Sequence, residues 1–189
     1  YASGAEMWTH FILRNVDAAY AAAENTAVLS EEHGIPYFLV ASHAVREWAL
    51  ATRGDTGAPD RLALELDEWR SNTGGIGMAI FLYTQAEALA HQERYSDALL
   101  VLDDPILVER LSIEQWYLPD VLRLRAECEW HLGRREGAAA NLSSSRRLSM
   151  AQQSRLAALR LSAFEAMTLG REQDWSALCV AVASMSEDF

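Results

Sequence analysis

The chain has 189 residues, of which half are hydrophobic and 23% are charged, the balance of an ordinary globular protein large enough for one domain. Its net charge of -11 argues against nucleic acid as a direct partner, because phosphate binding needs clustered cations. No stretch approaches the ~20 uncharged apolar residues of a membrane helix, so we expect no membrane partner.

Apolar residues recur at three- and four-residue spacing almost throughout the chain, and this spacing predicts α-helices. Short turns that contain glycine separate them, for example Gly34-Ile35-Pro36 and Gly133-Arg134-Arg135. In chain order, the predicted helices span residues 3–14, 16–33, 37–53, 58–73, 77–92, 95–111, 116–132, 135–150, 154–169 and 173–185.

The predicted helices pair into five antiparallel hairpins, and the hairpins repeat along the chain. Turns inside successive hairpins centre on Gly54, Glu93, Gly133 and Gly170, at intervals of 39, 40 and 37 residues. A fixed period in this range is typical of a solenoid. We therefore predict an all-α, tetratricopeptide-like α-solenoid of about five hairpins, with a right-handed superhelix and a single domain over residues 1–189.

Small residues recur in the same phase around two of these turns. Ala86 and Ala98 flank the turn at Glu93, and Ala126 and Ala138 hold the corresponding positions around the next turn. This is the tetratricopeptide form, in which small residues let adjacent helices approach closely while large residues fill the gaps between repeats.

Several segments resemble the C-terminal tetratricopeptide region of large bacterial regulators. Those regulators combine a nucleotide cyclase or DNA-binding domain, a STAND-type ATPase and helical repeats. The resemblance covers roughly residues 24 to 180, and the family usually has glycine where Glu47 and Ala126 stand. It is carried by Leu29-Ser30-Glu31-Glu32-His33-Gly34-Ile35-Pro36, by Trp48-Ala49-Leu50-Ala51-Thr52-Arg53-Gly54-Asp55, and by residues 85–90, 97–102, 121–127 and 151–160.

The resemblance implies a sensing or scaffolding arm in signal transduction. The residues after Tyr1 lack an initiator methionine and a signal peptide, so we expect a cytoplasmic fragment whose catalytic and ATPase domains lie upstream. Partners would be a protein, a peptide or those upstream domains. A cut solenoid also exposes an apolar end, which favours self-association into a homo-oligomer. The alternatives are a free-standing scaffold and, with less support, a helical enzyme with a pocket between repeats.

The sequence contains no motif for catalysis, a cofactor or a metal. Gly74-Gly75-Ile76-Gly77 lacks the lysine of a phosphate-binding loop, and no histidine pairs with another histidine or a cysteine at helical spacing. Cys128 and Cys179 are isolated in the sequence, so we expect both to be buried free thiols of a protein in a reducing compartment. Asp103-Asp104-Pro105 predicts a helix interruption, and Ser143-Ser144-Ser145-Arg146-Arg147 is interpreted as a polar helix face. We therefore predict a protein that is not an enzyme.

If the hairpins stack in phase, the first helix of each hairpin lines a concave groove that binds peptides or helices. Aromatic residues and arginines dominate binding hot spots, and an arginine can clamp a carboxylate through two parallel hydrogen bonds. Against this, large aromatics of a solenoid commonly form the core between repeats, and an arginine four residues before a glutamate pairs with it on one helix. The predicted groove residues are Trp48, Tyr83, Glu87, His91, Arg123, Glu127, Trp130, His131, Arg160 and Phe164.

Overall fold

The structure is a computed structural model that describes residues 2–73, 76–113 and 115–170. All regular structure in these residues is helical, so the predicted all-α class is confirmed. The predicted helix at 173–185 lies outside the described residues. The helices are α1 (Ala2–Ile12), α2 (Val16–His33), α3 (Pro36–Thr52), α4 (Ala58–Thr73), α5 (Met78–His91), α6 (Tyr95–Leu102), α7 (Pro105–Leu111), a 3-10 turn (Gln115–Tyr117), α8 (Leu118–His131), α9 (Arg135–Ala151) and α10 (Arg155–Leu169).

The predicted helix at 95–111 is two helices, α6 and α7, and the predicted interruption at Asp103-Asp104-Pro105 separates them. Asp104 lies between the two helices and caps the start of α7, because its Oδ1 accepts a hydrogen bond from the backbone N–H of Ile106 at 2.9 Å. Pro105 is the first residue of α7, a position where the missing proline N–H has no intrahelical partner to lose. The interruption therefore follows from local backbone chemistry.

Among the described residues, six helices end with the same pair of backbone hydrogen bonds around one residue in the left-handed conformation. At the end of α3, Gly54 has φ 98°, its N–H donates to the carbonyl of Ala51, and the next N–H donates to the carbonyl of Leu50. This pair of hydrogen bonds is the Schellman motif. The left-handed residues at these six helix ends are Arg14, Gly34, Gly54, Glu93, Gly133 and Gln153, at intervals of 20, 20, 39, 40 and 20 residues.

The chain divides into two compact units. In the first, Tyr1–Arg110, helix α3 lies against both α1 and α5, while α2 packs on α3 and α6 on α5. The helices α1, α3 and α5, which correspond to the first helices of three predicted hairpins, are therefore neighbours. One close approach needs a glycine, because a Cβ at Gly4 would meet the ring of Phe38 at 2.5 Å.

The second unit, Leu111–Phe189, is built in its described part from α8, α9 and α10. Helix α9 packs along α8, and α10 contacts both. Its core contains Ala126, Leu142, Leu161 and Phe164. The single right-handed superhelix over 1–189 stays a prediction.

A buried carboxylate joins α3 to α4 in the first unit. Glu47 is 2% exposed, and its two oxygens accept hydrogen bonds from Arg46 at 3.0 and 3.1 Å and from Arg61 at 2.6 and 3.0 Å. Arg61 also pairs with Asp55 at 2.8 Å. The hydrogen bond from Arg61, with one from the Gly57 N–H, lowers the pKa of Asp55, and the bonds to Asp55 and Glu47 raise the pKa of Arg61. The position that is usually glycine in the resembled family is thus occupied by a charge that two arginines neutralise.

Candidate functional site

The structure brings together the four groove residues predicted in the first unit and buries three of them. Trp48 of α3 and Tyr83 and Glu87 of α5 are 1%, 2% and 5% exposed. His91, one turn further along α5, is exposed, and its ring lies edge-on to that of Trp48 at 6.3 Å. His91 therefore lies at the surface, whereas the other three side chains belong to the interior.

Arg14, which the sequence patterns do not single out, reaches this group from the end of α1. Its Nη2 donates to Glu87 Oε1 at 2.7 Å and to the Tyr83 hydroxyl at 3.1 Å. The guanidinium carbon lies 4.6 Å from the centroid of the Phe11 ring and 5.4 Å from that of Trp48, both within cation–π range. Arg14 is also one of the left-handed residues, with φ 58°. It ties α1 to α5 and leaves the cluster of Trp48, Tyr83 and Glu87 covered.

In the second unit, the predicted arginines pair with carboxylates of the same unit. Arg123 Nη1 lies 2.7 Å from Glu127, four residues on, as expected for the alternative of a pair on one helix. Arg160 of α10 donates to Asp120 of α8 at 3.0 Å. The Arg160 guanidinium joins α10 to α8, and both guanidiniums are already engaged by anions.

The predicted aromatic residues of this unit differ in exposure. Phe164 is buried in the core, and Trp130 is partly buried against it. His131 is exposed at the end of α8. Trp130 is therefore the predicted aromatic that combines an anchored ring with an accessible face.

An open cleft of about 270 Å³ lies beside Trp130, between the end of α8 and helices α9 and α10. The guanidinium carbon of Arg135 lies 3.5 Å from the Trp130 ring centroid, and its Nη1 donates to the Trp130 carbonyl at 3.1 Å. Arg146 Nη2 donates to both oxygens of the buried Glu165 carboxylate. Ala139 and Leu142 form apolar parts of the lining, and Ser143 adds a hydroxyl.

Sequence reasoning missed Arg135 and Arg146 because both lie on the second helix of their hairpin. The repeat argument directed attention to first helices alone. A usable signal was present, since 135, 139, 142, 143 and 146 follow helical spacing and therefore fall on one face of α9.

A second cleft, of about 290 Å³, lies among α4, α5 and α6 of the first unit. Arg70 pairs there with Asp104 at 2.8 Å, beside Leu66, Leu82 and Leu100. This ion pair ties α4 to the residue that separates α6 from α7. Arg70 and Asp104 neutralise each other, and Asp67 leaves the lining of this cleft with one more anion than cations.

The described residues offer few reactive groups. They contain no group of three or more histidine, cysteine or acidic side chains arranged to hold a metal ion. Cys128 is buried in α8, and burial raises the pKa of its thiol to about 12, so it is protonated at neutral pH. Nor does any helix of the described part have the length and apolarity needed to cross a membrane.

Comparisons with known proteins returned no matching family model, no matching curated protein and no matching solved structure.

Proposed function

We propose that the chain is a cytoplasmic, non-catalytic binding module, a tetratricopeptide-like α-solenoid of antiparallel hairpins with a right-handed superhelix. The observation that carries the proposal is the recurrence of the same left-handed helix end at multiples of about 20 residues, from Arg14 to Gln153. A helix end that returns at fixed intervals produces hairpins of equal length, and equal hairpins stack on one another.

Burial of the repeated small residues supports this proposal. Ala86, Ala98, Ala126 and Ala138 are all 0% exposed. In the first unit, α1, α3 and α5 lie side by side, as the first helices of stacked hairpins do. Alanine at these positions lets the helix axes approach, and it explains why the period of the turns coincides with the period of the small residues.

The resemblance to bacterial multidomain regulators suggests what such a module does. We propose that it binds a protein or peptide and biases the activity of an attached ATPase and of a cyclase or DNA-binding domain. A ligand shifts such an equilibrium only through different affinities for two states of the whole protein, so binding must depend on the state of the attached domains.

The test begins with the complete reading frame that contains this chain. An ATPase domain and an output domain ahead of Tyr1 are expected. Output activity is then measured for the full-length protein and for the same protein without residues 1–189, and we expect it to differ at least fivefold. Equal activities would refute regulation by this module. A reading frame without other domains would instead favour a free-standing scaffold.

A further inference from the structure

The cleft beside Trp130 combines positive charge with apolar surface. Arg135 and Arg146 bring two positive charges to its lining, and Glu165 brings one negative charge. The Glu165 side chain is 8% exposed and Arg146 is 55% exposed, so the cations lie nearer the solvent than the anion. The cleft therefore presents an excess of hydrogen-bond donors in a chain whose net charge is -11.

We propose that this cleft binds a peptide carboxylate that is adjacent to an apolar side chain. The carboxylate is placed on the guanidinium of Arg135, Arg146 adds positive charge further along α9, and the apolar side chain lies against Trp130 and Leu142. This inference deepens the proposed function by stating the chemistry of the partner.

The donors needed for such a ligand are present on both arginines. Arg135 uses Nη1 for the Trp130 carbonyl, and Arg146 uses Nη2 for Glu165. Within the part of the chain that the structure describes, no further contact of either guanidinium is found, so each retains N–H groups. A guanidinium presents five N–H donors in a fork that matches a carboxylate, and such charge-assisted bonds are the stronger class of hydrogen bond.

Pre-organisation favours Arg135 as the main clamp. Its guanidinium already lies on the indole of Trp130 at 3.5 Å, and the indole packs on the core of the unit. Less side-chain entropy is therefore lost when the ligand binds than for an arginine extended into solvent.

The shape of the cleft favours a peptide. At about 270 Å³ it has room for an apolar side chain beside a carboxylate. It is also open to solvent along α9, where Ala139 and Ser143 are exposed, so a chain can enter and leave it. The acidic surface elsewhere opposes the ligand weakly, because charges beyond ~8 Å are screened at physiological salt.

The carboxylate can come from a peptide C-terminus or from an acidic side chain, and three tetrapeptides distinguish these sources. The first is acetyl-Gly-Gly-Gly-Leu with a free C-terminal carboxylate, and the second is its C-terminal amide. The third is acetyl-Gly-Asp-Leu-Gly amide, whose one carboxylate is a side chain. Binding to the complete 189-residue chain is measured by NMR titration.

We expect at least one acidic peptide to bind with a Kd of about 1 mM or tighter, and at least tenfold more tightly than the uncharged amide. If the first peptide is the tighter one, the ligand is a C-terminus, and if the third is tighter, it is an acidic side chain. Acidic peptides that bind no more tightly than the amide would overturn the proposal.

Three substitutions locate the binding. Arg135→Gln is expected to weaken binding of the acidic peptide at least fivefold. Arg147→Gln is the matched control, because it removes the same charge from an exposed position on α9 outside the lining, and it should change the Kd less than twofold. Glu165→Gln removes the anion that competes for Arg146 and should tighten binding at least twofold.

The direction of the Glu165→Gln effect separates a ligand site from a structural ion pair. Loss of an ion pair that only stabilises α9 against α10 would leave the affinity unchanged or lower it, and either result would overturn the clamp. Equal weakening by Arg135→Gln and Arg147→Gln would also overturn it. If the peptide-binding results predicted for the cleft fail while deletion of residues 1–189 still alters output activity, the proposed function stands without this site.

Discussion

Replacement of Arg61 tests how strongly the buried charge of Glu47 depends on its partner. Arg61 joins Glu47 of α3 to Asp55 in the following turn, at 2.6 and 2.8 Å. We predict that Arg61→Met lowers the free energy of unfolding by about 2 kcal/mol, because it removes one of the two guanidiniums that neutralise a carboxylate inside the fold.

Two limits set this magnitude. Loss of one partner from a fully buried ion pair costs about 3–5 kcal/mol, whereas an exposed ion pair contributes at most about 1 kcal/mol. The Glu47 side chain is 3% exposed but that of Arg61 is 48% exposed. Glu47 also retains its hydrogen bonds to Arg46. The expected cost therefore falls between the two limits.

The assay is urea unfolding at pH 7 followed by circular dichroism. Arg94→Met provides the matched control, since Arg94 also joins two carboxylates, Asp60 and Asp97, but these are 63% and 48% exposed. Its expected cost is below about 1 kcal/mol. If Arg61→Met lowers the free energy of unfolding no more than Arg94→Met does, an arginine paired with a buried carboxylate stabilises the fold no more than one paired with exposed carboxylates. The reasoning is then wrong.

Three further predictions concern helix ends, the buried thiol and pH. Glu93→Gly should stabilise the fold by about 0.5 kcal/mol and Gly133→Ala should destabilise it by about 1 kcal/mol, because both positions are left-handed; urea unfolding that shows the opposite signs would contradict this. Cys128 should resist alkylation at pH 8 in the folded chain and react in urea, as followed by peptide mapping; labelling of the folded chain at the rate of a free thiol would exclude its burial. The pKa of Asp55 is lowered from its ordinary value of 3.8, so the unfolded chain binds more protons and stability should fall as pH drops below about 3.8. Asp55→Asn should reduce that pH dependence, and unfolding curves with an unchanged slope between pH 5 and 2.5 would contradict the assignment.

Features that depend on neighbours along the chain could be predicted from the sequence. The pair of Arg123 and Glu127 lies four residues apart on one helix, so its geometry follows from the helix itself. The interruption at Asp103-Asp104-Pro105 is equally local. The turns at Gly54, Glu93 and Gly133 could be predicted as helix ends, because a left-handed residue ends a helix wherever it stands.

Features that depend on contact between distant residues could not be predicted. Arg14 and Glu87 are 73 residues apart, and nothing in either local sequence indicates that they meet. The same holds for Arg146 and Glu165, which α9 and α10 bring together. Repeat phase placed Trp48, Tyr83 and Glu87 on first helices, but it carried no information on their burial, which depends on what covers them.

The sequence by itself therefore determined the all-α class, the turns that end most helices and the small residues that lie buried beside them, because each follows from backbone chemistry within a few residues. Only the tertiary structure decided which charged side chains are neutralised inside the fold and which remain available to a partner. That distinction rests on distances of a few ångströms between helices, and it separates Arg14, which covers the interior, from Arg135, which lies exposed on the ring of Trp130.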